Sequence, residues 1–388
     1  MMADNVEHVI TYWLIFERFH SPALAGFAVI AHWAPFLLLG ITFGALADRF
    51  DCRRIIQAGQ ALFILASFTW AVLFLTNTLE AWHAVVLLIV HGLAGALWSP
   101  ASQLYIYDVV GTEDLQSGVR LAATARQIGI LFGPAVGGGL LLLLGPANGL
   151  LVNCLLYLPL IGWLFTTRFN GHVHRGGAHA EQSALTLADA IRTLRDVRHQ
   201  PVILAMVVLA GATSFLVGNA FQAQMPQYAA DIPGAEGEVG YSVLLIATGL
   251  GSVAGGFALE WSSWLRRPAV RPAIVMGIVW AVLMAVFAYT TSYALAVLAL
   301  FLAGFLNLAF TALAQTIVQL EAPDARRGRV VGLFSMAQNG LRVGSGVTIG
   351  ILGTAVGIHA SLGWSALMTL AVCVTLFLVV RTTRTAAA

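Results

Sequence analysis

The feature that most constrains this chain is a short charged segment between two long apolar runs. The segment reads Gly44-Ala45-Leu46-Ala47-Asp48-Arg49-Phe50-Asp51-Cys52-Arg53-Arg54. Residues 22–43 before it and 55–75 after it contain no Asp, Glu, Arg or Lys. Apolar runs of about 20 residues are long enough to cross a bilayer as helices. The segment therefore predicts a tight turn between two membrane-spanning helices, and its arginines place that turn on the cytoplasmic side.

The composition agrees with a membrane protein. Of the 388 residues, 59% are hydrophobic and 10% are charged, and the net charge of +2 gives no reason to expect a nucleic-acid partner. The three cysteines show no disulfide or metal spacing. Histidines cluster only between residues 172 and 199, where nothing fixes a ligand geometry. We expect no cofactor and no metal.

Apolar runs predict twelve membrane-spanning helices, which we call spans 1 to 12. Span 1, within residues 3–20, is short, because Asp4 to Phe19 covers only about 24 Å as a helix. We therefore expect the native chain to begin upstream. The other spans are predicted at 22–46, 54–75, 83–107, 118–144, 148–167, 201–228, 239–262, 271–291, 293–319, 330–356 and 361–380.

The arginines between the spans indicate the orientation and the domains. They lie in loops 2–3, 6–7, 8–9 and 10–11 and in the tail, whereas loops 3–4, 5–6, 7–8, 9–10 and 11–12 have none. Positively charged short loops stay in the cytoplasm, so both termini are predicted there. We expect an N-terminal six-helix bundle (1–167), a cytoplasmic linker with an amphipathic surface helix (168–200) and a C-terminal bundle (201–388).

The chain also repeats itself. Gly44 and Asp48 recur as Gly256 and Glu260, and Gly92 recurs as Gly304, at one common offset. A single offset held over several regions predicts two duplicated halves.

The charged turn resembles a known family signature. Gly-x-Leu-Ala-Asp-Arg followed by Arg-Arg is similar to the loop between helices 2 and 3 of the major facilitator superfamily. It departs at Cys52, which is usually basic, and at Asp51, which is usually Gly but is common in the branch of enterobactin-exporter-like and macrolide-efflux-like carriers. The resemblance implies an all-α protein with two pseudo-symmetric six-helix bundles. It also implies that the loop switches conformation, through Gly44, Asp48, Arg49, Arg53 and Arg54. The alternative is a loop that only sets topology and packing.

Span 5 carries a second resemblance. Small residues at four-residue spacing let helices approach closely, and a proline kinks the helix that holds it. The Gly-Pro-x-x-Gly-Gly pattern resembles the antiporter motif of drug exporters in the same superfamily, which implies export. Packing alone is the alternative. The motif residues are Gly129, Gly133, Pro134, Gly137 and Gly138.

Charged residues inside the spans are the candidate coupling groups. Such charges are expensive and usually functional, and Asp4 and Glu7 share a face of span 1. We expect them to carry a coupling proton, with Arg126 or Arg342 as counter-ion or as a contact for an anionic substrate group.

Two histidines inside the spans are weaker candidates. These are His32 and His91, and a lone membrane histidine is more often a packing residue. His91 stands where some proton antiporters of the superfamily have an arginine, and this departure weakens the case for the usual proton relay in span 4.

We therefore expect a secondary active transporter and not an enzyme. It would be a monomer in the inner (plasma) membrane that exports small amphipathic molecules of drug or siderophore type by alternating access, coupled to protons. Uptake or flipping of a lysophospholipid-like substrate, a channel and a membrane-embedded enzyme are the alternatives, but the chain shows no clustered catalytic set. Intramembrane amides that could line the substrate cavity are Gln103, Gln222, Asn307, Gln315 and Asn339.

Overall fold

The computed structural model describes residues 1–111, 113–171, 187–261, 269–323 and 327–385, and these residues contain helices and no strand. The chain divides into two compact units. The first unit comprises Met1–Phe19 and Ala31–Ala184, and the second comprises His20–Ile30 and Leu185–Ala388. The second helix is therefore divided: its residues up to Ile30 belong to the second unit, and its residues from Ala31 onward belong to the first.

The first unit is built from helices that correspond to spans 1 to 6. Spans 5 and 6 lie in one continuous helical element, but Gly145 interrupts it with φ 74°. Glycine adopts this left-handed conformation readily because it lacks a Cβ, and Pro146 follows directly. The helices are α1 (Met2–Phe19), α2 (Pro22–Arg49), α3 (Cys52–Leu75), α4 (Ala81–Val110) and α5 (Leu115–Thr166).

The second unit contains the remaining helices, of which several are short. The predicted amphipathic helix of the linker is present as α6 (Leu187–Val197). The others are α7 (Pro201–Leu216), α8 (Ala220–Ala223), α9 (Met225–Asp231), α10 (Gly237–Trp261), α11 (Val270–Tyr289), α12 (Tyr293–Glu321), α13 (Arg327–Ser335), α14 (Arg342–Ser345), α15 (Leu352–Val356) and α16 (Ile358–Thr385).

Two spans predicted as single helices are interrupted. Span 7 breaks into α7, α8 and α9, where Gly218 has φ 44°. Span 11 contains two π-helical segments, Met336–Gly340 and Gly346–Ile351, which flank α14. π-helical turns are rare in proteins, and those that occur often lie at functional sites. Hydropathy averages over a whole span, so it carries no signal for either interruption.

In the part of the chain that the structure describes, nine helices are long and apolar enough to cross a membrane. The three other predicted spans have separate physical explanations. Charged residues lower the hydropathy of span 1, span 6 shares α5 with span 5, and span 11 is divided by its π-helical segments.

A very close helix crossing lies at an equivalent glycine in each unit. A Cβ at Gly92 of α4 would overlap the carbonyl oxygen of Ala31 in α2. A Cβ at Gly304 of α12 would overlap the carbonyl oxygen of Thr248 in α10. These glycines are the two that the sequence repeat pairs. The shared contact supports the duplication, because span 4 crosses span 2 in the first half as span 10 crosses span 8 in the second.

We predict that Gly92→Ala destabilises the protein. The added methyl group must displace backbone, and overpacking typically costs about 1–3 kcal/mol. Thermal unfolding of the detergent-solubilised protein measures the effect as a lower melting temperature. Gly162→Ala is the matched control, because no described atom lies within 4 Å of a Cβ there. Equal melting temperatures for the two variants would contradict the close crossing.

Candidate functional site

A histidine lies between two buried carboxylates near the start of the chain. His91 of α4 has Nε2 at 3.0 Å from Asp4 Oδ1 and Nδ1 at 2.8 Å from Glu7 Oε1. The side chain of His91 is 6% exposed, that of Asp4 is 12% exposed and that of Glu7 is 2% exposed. An imidazole that donates at both nitrogens carries a positive charge, and carboxylates only accept. This arrangement therefore gives each carboxylate a charged hydrogen-bond partner.

Hydrogen bonds extend this cluster to two more helices. Ser67 of α3 donates its hydroxyl to Glu7 Oε2, and Asn153 of α5 donates Nδ2 to Ser67 Oγ at 3.2 Å. Ser67 and Asn153 are both fully buried. A continuous polar path thus runs from Asp4 through His91 and Glu7 to Asn153. The sequence analysis missed Ser67 and Asn153, since single polar residues in apolar runs are common at helix interfaces.

Two further histidines pack against the cluster. The ring of His8 lies 4.7 Å from that of His32 and 4.7 Å from that of His91, between centroids. His8 also has Nδ1 at 2.7 Å from the backbone oxygen of Asp4. The structure thus gathers four of the predicted site residues (Asp4, Glu7, His32 and His91) and adds His8.

The helix 5 motif positions α1. A Cβ at Gly133 would contact Asn5, and a Cβ at Gly137 would contact Val6 and Val9. Gly129 likewise lies against the first two residues of the chain, and Gly138 is buried. The glycines let α1 lie directly on the α5 backbone, which holds its carboxylates in place. The sequence predicted close packing here but not the partner helix.

The charged turn is ordered by a local ion pair. Asp51 caps the start of α3 by accepting from Arg53 N at 2.9 Å, and its carboxylate receives Arg53 Nη2 at 2.7 Å. Partial burial raises the pKa of Asp51, but the hydrogen bonds from Arg53 outweigh burial and lower it. Arg53 Nη1 also donates to the backbone oxygen of Thr167 at 2.8 Å. The aspartate that departs from the family pattern therefore serves as a helix cap.

A buried aspartate that the sequence analysis missed holds the end of α5. Asp108 is completely buried and its Oδ2 accepts from the backbone N–H groups of Gly171 and Asn170, at 2.8 and 3.1 Å. Cys52 N donates to the carbonyl oxygen of Asn170 at 2.8 Å. Span 4 was predicted to end at 107, which left Asp108 in a loop, but α4 continues to Val110. The segment after α5 is thus fastened to both α3 and α4.

The other predicted residues lie in varied positions. At Gly44, no described atom lies within 4 Å of an added Cβ. Arg126 is exposed on α5, and Arg342 is half-buried in the second unit, where its Nε donates to the backbone oxygen of Gln338 at 3.2 Å. The remaining residues are exposed (Asp48, Arg49, Arg54, Gln103 and Gln315) or half-buried (Pro134, Gln222, Asn307 and Asn339).

The long apolar helices and the family that matches nearly the whole sequence define the class of protein, a multi-pass carrier of the major facilitator superfamily. Residues 2–388 match the family described as transmembrane secretion effector, and the chain belongs to that family.

Proteins with similar sequences include a named efflux pump. The chain is 27% identical over 361 residues to the multidrug efflux pump Tap of Mycolicibacterium fortuitum, covering 90% of this chain and 85% of that one. It is 22% identical over 205 residues to the uncharacterised transporter YfiS of Bacillus subtilis (strain 168), covering 52% of this chain and 47% of that one.

Solved structures share the fold at low sequence identity. The nucleoside transporter NupG has a TM-score of 0.72 at 14% identity, and the match covers 96% of each chain. A bacterial homologue of the human lysosomal transporter Spinster has a TM-score of 0.69 at 15% identity, covering 98% of this chain and 94% of that one. These likenesses confirm the predicted twelve-helix fold class.

We predict that Asp108→Ala destabilises the first unit more than Asp108→Asn does. Alanine leaves the buried N–H of Gly171 and the half-buried N–H of Asn170 without their acceptor, and a buried unsatisfied group costs about 1–3 kcal/mol. Asparagine keeps one acceptor oxygen in place. Melting temperatures in detergent rank the variants, and an alanine variant as stable as the parent would contradict the clamp.

Proposed function

We propose that the protein exports small amphipathic molecules of drug or siderophore type from the cytoplasm, by proton-coupled alternating access. The observation that carries the proposal is the buried cluster in which His91 of α4 lies between Asp4 and Glu7 of α1, the helix that lies against the α5 glycines. The efflux activity in the name of Tap supports the direction.

The charges of the cluster suggest how coupling works. Two carboxylates and one imidazolium leave one net negative charge in a buried site, and buried charge is costly. A proton that binds a carboxylate neutralises this charge and removes that carboxylate's ion pair with His91. Proton occupancy and the packing of α1 on its neighbours are therefore linked. A substrate that prefers one packing arrangement competes with the proton or cooperates with it.

The rest of the fold would supply the movement. Carriers of this superfamily consist of parallel repeats that rock about a central site. We assign the two halves to 1–167 and 201–388, joined by the linker 168–200, with both termini in the cytoplasm of the cell. The charged turn then lies on the cytoplasmic face, where its exposed Asp48 can form contacts that differ between conformations.

We predict that Glu7→Gln abolishes gradient-driven export and leaves substrate binding measurable. Glutamine keeps the size of the side chain and one acceptor oxygen, but it cannot gain or lose the proton. Sealed vesicles with and without an imposed pH gradient measure export, and fluorescence titration of the purified protein measures binding. Drug-type and siderophore-type compounds are the substrates to compare.

Glu17→Gln is the matched control on the same helix, because Glu17 is exposed. It should export at the parent rate. Export that still follows the pH gradient in the double variant Glu7→Gln, Asp4→Asn would show that the coupling proton travels elsewhere.

We predict that Asp48→Asn lowers the export rate without lowering the amount of protein in the membrane. The charge is expected to form its contacts in one conformation only, so its removal shifts the conformational equilibrium. Asp114→Asn, which changes another exposed aspartate of the same unit, serves as the control. An unchanged rate in Asp48→Asn would assign the turn to topology and packing alone.

A further inference from the structure

We propose that the histidines around Asp4 form a binding site for a divalent transition-metal ion, with Zn²⁺ as the best-fitting ion. This inference goes beyond export and does not depend on it. It rests on four side chains from three helices of the first unit: Asp4 and His8 of α1, His32 of α2 and His91 of α4. Each offers one ligand atom, and these atoms all lie within 4.8 Å of one another.

The chemistry of these donors suits a borderline metal. Zn²⁺ prefers imidazole nitrogens and carboxylate oxygens in tetrahedral sites of four ligands, whereas Mg²⁺ and Ca²⁺ prefer oxygen alone. Three imidazoles and one carboxylate complete such a set. Ligand atoms about 2.1 Å from a central ion lie about 3.4 Å apart in a tetrahedron. The cluster therefore needs only a modest contraction, which side-chain rotation can supply.

The neighbours of these ligands occupy the positions expected of groups that orient metal-bound histidines. Such histidines usually donate their second ring nitrogen to a carboxylate or a backbone carbonyl. His91 has Nδ1 at 2.8 Å from Glu7 Oε1, which leaves Nε2 beside Asp4 for the metal. His8 has Nδ1 at 2.7 Å from the backbone oxygen of Asp4, which leaves Nε2 for the metal. Two of the three imidazoles are thus already oriented.

The four ligand residues differ in burial, and this difference gives a metal ion a way into the site. Asp4 and His91 are buried, whereas His8 and His32 are only half-buried. A metal ion would meet the two accessible histidines first and then the buried pair. When the metal binds, Nε2 of His91 gives up its proton, because only a deprotonated nitrogen coordinates. The metal and the proton therefore exclude each other at this nitrogen.

Isothermal titration of the purified full-length protein with ZnCl₂, without a polyhistidine tag, tests the proposal. We expect one Zn²⁺ per chain, with proton release seen as a dependence of the binding heat on the buffer. His8→Gln and His32→Gln should each weaken the affinity at least about tenfold, the loss found even for groups that only orient a ligand. Glutamine keeps these positions polar, and melting temperatures establish that the variants fold.

Two controls separate this site from other histidines. His83→Gln changes a half-buried histidine of α4 whose Nδ1 accepts from Glu80 N. A triple variant at His172, His174 and His179 removes linker histidines that lie outside the described residues. Both controls should bind as the parent does. Parental affinity in folded His8→Gln or His32→Gln, or binding lost only in the linker variant, would overturn the proposal. The titration contains no substrate and no gradient, so its result leaves export to be judged separately.

Discussion

The contact between His91 and two carboxylates determines how the first unit can be built. A buried ion that loses its partner typically costs 3–5 kcal/mol, so Asp4 and Glu7 can remain inside only while α4 faces α1. Ser67 and Asn153 extend the same requirement to α3 and α5 through Glu7. One polar path therefore determines the rotation of four helices about their own axes.

Charge and packing act on different faces of α1. One face presents its carboxylates to His91, and another lies on the glycines of α5, where Gly133 meets Asn5 and Gly137 meets Val6. Glycines permit this approach because they have no side chain to separate the helices. A bulkier residue at either position would push α1 away from α5 and alter its alignment with α4. The glycine motif and the charged cluster thus depend on each other through the position of α1, although they lie far apart in the sequence.

The sequence predicted the architecture better than the site. Hydropathy suffices to find the long apolar helices, because a bilayer requires spans of about 20 apolar residues. Helical spacing also placed Asp4 beside Glu7 correctly. The position of His91 between them depends on how α4 packs on α1, which no local pattern encodes. Asp108 escaped notice for a related reason, since its partners are backbone groups that have no side-chain signature.

The two halves differ in where their backbone departs from an ordinary helix. Span 11 has two glycines at four-residue spacing, Gly340 and Gly344, but no proline, and there the chain forms two π-helical segments on either side of α14, which begins at Arg342. A π turn holds one residue more than an α turn, so each segment turns the side chains that follow it by about 100° relative to a regular helix. Arg342 lies between the two segments and therefore points in a direction that a regular helix through span 11 would not give it.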